Sequence, residues 1–227
     1  MNINKEVLLI DKPAGISSFG VVAKVRRKLS EEVGVDENGK RKKIKVGHTG
    51  TLDPFATGLL ILLVGKGTKR SNDFLKLDKE YKAVIRLGAT STTGDPEGEI
   101  SVLENIVEPG FEAISEVVSG FVGKIQQRVP NFSAVKINGR RAYDLARKGI
   151  EVEMPVRQVE IFSIDILSYK FPELKIRCYV SSGTYIRTLG EDIGKKLGVG
   201  GYLTELRRTK VGKFSVDDAE KLENFIK

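Results

Sequence analysis

Only one cysteine, Cys178, and one histidine, His48, stand among the 227 residues, and tryptophan is missing altogether. A single thiol excludes an intrachain disulfide, and one histidine with one cysteine leaves too few soft ligands for structural zinc. Cys178 alternates with Ile176 and Val180 in a strand-like run, which favours a small buried hydrophobe over a catalytic thiol. The longest apolar run, Leu59 to Val64, is far too short to cross a bilayer, and the N-terminal residues carry no secretory pattern. The expectation is a cytoplasmic protein without membrane segment or metal.

What the chain has in quantity is charge. With 38 Lys and Arg against 30 Asp and Glu, it carries a formal +8, while 40% hydrophobic residues and only 7 prolines indicate a folded globular protein. A positive excess suits a polyanionic partner, because neutralising phosphates releases counterions and yields sequence-independent affinity. Charge alone does not separate a nucleic-acid binder from a basic protein without such a partner.

Along the chain, Val7 to Ile10 is a short apolar run. Ser17 or Ser18 then caps a helix whose Val22, Val25 and Leu29 share one face, with Lys24, Arg26, Arg27 and Lys28 on the remainder. Residues 30–45 read as a polar loop ending in Lys40, Arg41, Lys42, Lys43 and Lys45. A strand is expected from Tyr81 to Gly88, a turn at Gly94-Asp95-Pro96, and a helix over 111–122 with Phe111, Ile114, Val118 and Phe121 on its core face. Residues 124–150 interleave Gln126, Gln127, Arg128, Lys136, Arg140, Arg141, Arg147 and Lys148 with Phe132 and Tyr143, a pattern suited to RNA. Strands over 158–169 and 174–181, a helix over 185–197 stopped by Gly198, a strand over 208–214 and a short terminal helix complete the chain. Strands and helices mix without regular alternation, so the fold class is α+β around a mixed or antiparallel sheet.

The densest chemical signal is GHTGTLDP, Gly47 to Pro54, in which glycines allow tight turns and the following proline restricts Asp53. Such a loop presents one carboxylate. Asp-Pro is also an ordinary turn pair. A serine triad would use His48 as base with Asp53 orienting it, but no G-x-S-x-G supplies the nucleophile. Paired-carboxylate hydrolysis needs a second acid such as Asp95, Glu191 or Asp192, which spacing does not bring to Asp53.

LLIDKPAGISS (Leu8 to Ser18) and GHTGTLDPFATGLL (Gly47 to Leu60) resemble the tRNA pseudouridine synthase B family, which isomerises uridine 55 in the T-loop of tRNA. The likeness continues through KEYKAVIRLGATSTTGD, VPNFSAVKINGRRAYDLARKGIEV, SSGTYIRTLGEDIGKKLG and YLTELRRTKVGKF, blocks that run in order from Lys79 to Phe214. The resemblance implies a pseudouridine synthase catalytic fold, one catalytic domain over 1–227, with an RNA-clamping, thumb-like insertion at about 124–150 and a basic loop at about 30–45. Where bacterial members usually continue into a small C-terminal RNA-binding domain, called PUA, none is expected here. The implied enzyme acts alone as a monomer on the T-arm of tRNA and needs no cofactor.

Position by position, the resemblance implies that Asp53 is the catalytic aspartate, Tyr81 the ring stacked on the target base, and Arg187 the cation paired with the aspartate. His48 matches the residue that fills the space left by the flipped nucleotide. Lys12 and Tyr185 match positions lining the uridine pocket, Leu206 one that closes it, and Lys136, Arg141 and Arg147 are expected on the T-arm backbone. Two other readings remain: a protein that grips the T-loop without chemistry, and a synthase acting on another RNA with a guide complex.

Overall fold

The computed structural model describes residues 6–35, 37 and 42–227. Lys40 and Arg41 of the basic loop therefore lie outside the described residues. The chain divides into two compact units, Met1–Tyr81 with Leu206–Lys227, and Lys82–Glu205.

The first unit opens with β1 (Val7–Lys12), α1 (Ser18–Val33), β2 (Val46–His48), β3 (Thr57–Val64) and α2 (Ser71–Leu75). Ser17 is the residue that caps α1, its hydroxyl accepting from the Gly20 N–H at 3.0 Å. The helix runs on to Val33 before Gly34, at φ +77°, ends it, so the start of the segment expected as loop is helical.

β4 (Lys79–Leu87) leaves the first unit at Tyr81 and begins the second. There follow β5 (Ala89–Ser91), β6 (Ile100–Val102), α3 (Phe111–Ser119), β7 (Gly123–Arg128), β8 (Lys136–Ile137), β9 (Arg140–Arg141), α4 (Ala142–Ala146), β10 (Val156–Lys170), β11 (Glu173–Val180) and α5 (Ile186–Lys196). β12 (Gly201–Val211) returns to the first unit, which closes with β13 (Phe214–Ser215), β14 (Glu220–Lys221) and α6 (Leu222–Ile226). β12 starts seven residues earlier than the strand expected from Arg208, because Tyr202 and Leu203 are themselves buried.

In the first unit β14, β1, β3 and β12 lie side by side. β1 and β3 are antiparallel, with Lys12 opposite Gly58, whereas β14 on β1 and β12 on β3 are parallel. β3 is central, and this accounts for its unbroken apolar run. Leu60, Leu62 and Val64 pack with Ile10, Val21, Val22, Val25, Leu29, Leu222 and Phe225, while Leu59, Ile61 and Leu63 pack on the other side with Phe74 and Val211.

In the second unit the order is β4, β11, β10, β7, with the β11–β10 and β10–β7 pairs antiparallel. Leu174, Ile176, Cys178 and Val180 alternate inward along β11, and the Cys178 thiol is buried and forms no disulfide. α3 buries Ile114 and Val118, with Phe121 just beyond it. Phe111, expected on the same face, is 57% exposed in the first turn. The expected α+β class with a mixed, largely antiparallel sheet is what the strands form.

β7 pairs with β10, so residues 124–128 of the stretch expected as an RNA-clamping insertion lie in this sheet. Asn138 and Gly139, both at positive φ, turn β8 into β9, the geometry a two-residue hairpin favours. A small core of Val129, Ala142 and Met154 supports it. Among the described residues, no helix is long and apolar enough to cross a membrane.

Candidate active site

The first unit carries Lys12, His48, Asp53, Tyr81 and Leu206. Asp53 stands half-buried in the loop from β2 to β3, and its carbonyl accepts from the Ala56 N–H at 3.1 Å, closing a turn with Pro54 in the second position. Both neighbours of Asp53 are tied down. The buried Ser18 hydroxyl accepts from the Leu52 N–H at 2.7 Å and donates to the Leu52 carbonyl at 2.9 Å. On the other side the Pro54 carbonyl accepts from the Gly15 N–H at 2.8 Å and from Lys12 Nζ at 3.1 Å.

Lys12 is 0% exposed, and its ammonium also donates to the carbonyls of Pro13 and Ile16. A buried ammonium is costly unless its donors are matched, and three carbonyls answer three N–H groups. Lys12 thus fastens the segment before α1 to the Asp53 loop.

Arg208 holds the same loop from β12. Only 2% exposed, it donates from Nε to the Leu59 carbonyl at 2.8 Å, and from its terminal nitrogens to the carbonyls of Gly50 at 3.1 Å and Thr51 at 3.4 Å. Gly58, at φ +103°, allows β3 and β12 to approach, since a Cβ there would lie 2.3 Å from the Arg208 carbonyl oxygen. Its neighbour Arg207 makes a two-pronged pair with Asp11, at 3.0 and 2.8 Å.

His48 Nδ1 accepts from the Gly50 N–H at 3.4 Å. Burial, then the charge of Arg208, lowers its pKa, so the imidazole is neutral at physiological pH. Tyr81 and Leu206 are buried in β4 and β12. Two residues before Tyr81, the Lys79 ammonium donates to the Leu75 carbonyl at 2.7 Å. Its pKa is brought down to about 8, chiefly by burial and further by Arg208.

The second unit carries Tyr185, Arg187, Lys136, Arg141 and Arg147. Arg187, on the first turn of α5, is 4% exposed. It donates to the carbonyls of Thr93 and Phe132, each at 2.7 Å, and pairs with the Asp95 carboxylate at 3.2 Å. Asp95 is in turn steadied by the Thr93 hydroxyl at 2.6 Å and the Glu97 N–H at 3.0 Å. The guanidinium is therefore held by the 93–97 turn and by Phe132 together.

Tyr185, just before α5, is gripped by a side chain that sequence reasoning placed on an RNA-binding surface. Gln127 is 2% exposed; its Oε1 accepts from the Tyr185 N–H at 2.8 Å and its Nε2 donates to the Tyr185 carbonyl at 3.0 Å. This side-chain amide does what a paired strand would do. Lys136, Arg141 and Arg147 are exposed: Arg141 donates to the Ala134 carbonyl, and Arg147 lies 5.6 Å from the centre of the Tyr143 ring.

Glu191, one turn beyond Arg187, borders a cavity of about 380 Å³ with Thr90, Lys195 and three glycines. Burial pushes its carboxyl from 4.5 up to about 7, with Arg187 opposing and Asp192 and Asp95 adding. Between those values the folded protein keeps a proton that the unfolded chain has released. Its contribution is thus full below the unfolded value and lost as pH rises through the folded one. Glu191→Gln is expected to remove that decline, leaving the variant more stable than the parent at pH 8 by about 1 to 2 kcal/mol after solvent screening of this half-buried group. Urea midpoints at pH 5 and pH 8 measure it; equal declines in both proteins would refute it.

The profile of the TruB family pseudouridylate synthase N-terminal domain matches residues 38–186, and that of the tRNA pseudouridylate synthase B C-terminal domain matches 187–227. The chain is 46% identical over 220 residues to the tRNA pseudouridine synthase B of Phocaeicola vulgatus, covering 97% of this chain and 91% of that protein. To the enzyme of the same name from Aquifex aeolicus it is 45% identical over 221 residues, covering 96% and 72%. Among solved structures, a chain of a Cbf5–Nop10–Gar1 complex superposes with a TM-score of 0.74 at 30% identity, over 100% of this chain and 55% of that one. An H/ACA RNP bound to a substrate RNA contains another, at a TM-score of 0.69 and 28% identity, over 97% and 52%. The chain spans about half the length of these structural relatives and nearly all of the first curated one. On this agreement of family profiles, relatives and fold, the chain belongs to the TruB family of pseudouridylate synthases.

Proposed function

We propose that the chain isomerises uridine to pseudouridine at position 55 in the T-loop of tRNA, with Asp53 as the catalytic carboxylate. The observation that carries this reading is the fastening of Asp53: a half-buried acid between two residues, Leu52 and Pro54, that Ser18, Gly15 and Lys12 hold in place. A carboxylate that must meet one atom of a bound base gains most from such preorganisation. Relatives named for action on tRNA stand at 44–46% identity, above the 30% of the Cbf5 chain, which favours tRNA over a guided RNA substrate.

Isomerisation breaks the bond from ribose to the base nitrogen, turns the uracil and rejoins it through carbon 5, whose proton leaves while the freed nitrogen takes one up. The base must first come out of its loop, at a cost of a few kcal/mol. Stacking on Tyr81, about 1 to 3 kcal/mol, offsets much of this. Arg187 is the proposed cation of the reaction, and its fixing by Asp95 and two carbonyls keeps its orientation. His48 reads shape, a task for which a neutral ring suffices. Lys12, Tyr185 and Leu206 shape the uridine pocket, and Lys136, Arg141 and Arg147 meet T-arm phosphates.

Tritium release from an unmodified tRNA transcript labelled at uridine carbon 5 tests the reading. Release that disappears when uridine 55 is replaced by cytidine is expected. Binding without release would point to an RNA-gripping protein instead, and release that survives the replacement would move the target elsewhere.

A further inference from the structure

α1 has a buried face and an exposed one, and the proposed reaction uses only the former. Val21, Val22, Val25 and Leu29 enter the core, and Ser18 reaches the Asp53 loop. The exposed side begins with Phe19, which leaves 66% of its surface in water beside that clamp. Successive positions i, i+4, i+7 and i+11 on an α-helix form one ridge, here Phe19, Ala23, Arg26 and Ser30.

The ridge is a ring, a small residue, a cation and a small residue, with Phe19 and Arg26 about 10 Å apart along the axis. From Phe19 to Lys28 there are four cations, Lys24, Arg26, Arg27 and Lys28, and no carboxylate. Arg27 pairs with Glu31 at 3.1 Å, but the side chains are 78% and 41% exposed, so the pair neutralises little.

An exposed aromatic among cations is the composition that stacks a base and neutralises a phosphate. A lipid surface would require the apolar face of α1, and that face is spent on the core.

We propose that this ridge is an RNA-contact surface of the chain, with Phe19 stacking on a nucleotide outside the uridine pocket and Arg26 on a backbone phosphate. The proposal rests on the tRNA reading above. Ser18 binds Leu52, the residue before Asp53, so the first turn of α1 stands beside the loop that would receive the target. RNA strand flanking that nucleotide is within reach of Phe19, and Ala23 and Ser30 leave room for its backbone.

The test is the dissociation constant of an unmodified tRNA transcript over a series of salt concentrations, for the parent protein, Phe19→Ala, Phe19→Tyr and Arg26→Gln. Phe19→Ala is expected to weaken binding by about fivefold or more, the lower end for one stacked base, and Phe19→Tyr to restore it. Arg26→Gln should flatten the dependence of log affinity on log salt by about 0.7 to 0.9, one phosphate's share. Both positions are exposed, and unchanged melting temperatures would exclude a folding effect. Parent affinity in Phe19→Ala, or an unchanged slope in Arg26→Gln, overturns the proposal. A parent protein that neither binds the transcript nor releases tritium from it removes the underlying reading instead.

Discussion

Asp53→Asn is expected to lower the single-turnover rate of tritium release by about 1,000-fold or more while leaving tRNA affinity within a few-fold of the parent. The replacement is nearly isosteric and keeps the carbonyl of residue 53 that closes the turn with Ala56. Ser18, Lys12 and Gly15 bind the main chain of residues 52 and 54, anchors that the replacement leaves in place. What is lost is the negative charge and its capacity to attack or to accept a proton. Unchanged melting together with collapsed rate would assign the chemistry to that carboxylate. A variant retaining a tenth of the parent rate would refute the assignment.

Gly58→Ala is expected to destabilise the protein by about 3 to 5 kcal/mol, from the sum of a disfavoured backbone conformation and a clash that cannot relax. The φ of +103° is costly for any side chain, and the added Cβ would meet the Arg208 carbonyl oxygen at 2.3 Å and its nitrogen at 2.8 Å. Both are main-chain atoms of the neighbouring strand, so relief requires β3 and β12 to part. Arg208 would then move away from Gly50, Thr51 and Leu59, and the Asp53 loop would lose one of its anchors. At about 2 to 4 °C per kcal/mol for a chain of this size, the melting temperature should fall by roughly 10 °C. Gly47→Ala, whose Cβ meets nothing within 4 Å, is the control and should melt close to the parent. Equal melting of the two variants would contradict the account.

Local rules made much of the fold legible. The apolar run of β3, the Ser17 cap, the alternation along β11 and the stop at Gly198 follow from periodicity and end chemistry, which neighbouring residues decide. Resemblance supplied the candidate residues. What neither supplied was how Asp53 is held, because its anchors are distant in sequence: Ser18 lies 34 residues from Leu52, and Arg208 158 from Gly50. A serine after a cap and an arginine in a strand look ordinary until the chain brings them to a loop.

The same limit applies to Gln127 and Lys12. Gln127 sits in a basic stretch whose composition suggests solvent and RNA, yet a single step along β7 turns it to the interior, onto Tyr185. Lys12 matched a pocket-lining position, and the structure adds that its ammonium is fully covered and engaged with carbonyls. Phe111 errs in the other direction: helical spacing groups it with Ile114 and Val118, but at the first turn of α3 it projects past the core.

The solitary thiol of Cys178 gives the molecule a clock. Its sulfur sits fully covered in β11, so a thiol-reactive reagent modifies it only when that strand opens, at a rate set by the opening itself once the reagent is in excess. Because the sequence holds no other cysteine, each labelling event reports on the second unit alone, without engineered probes. Slower labelling in the presence of tRNA would measure how far substrate binding is transmitted into β11, a strand that carries none of the proposed catalytic side chains.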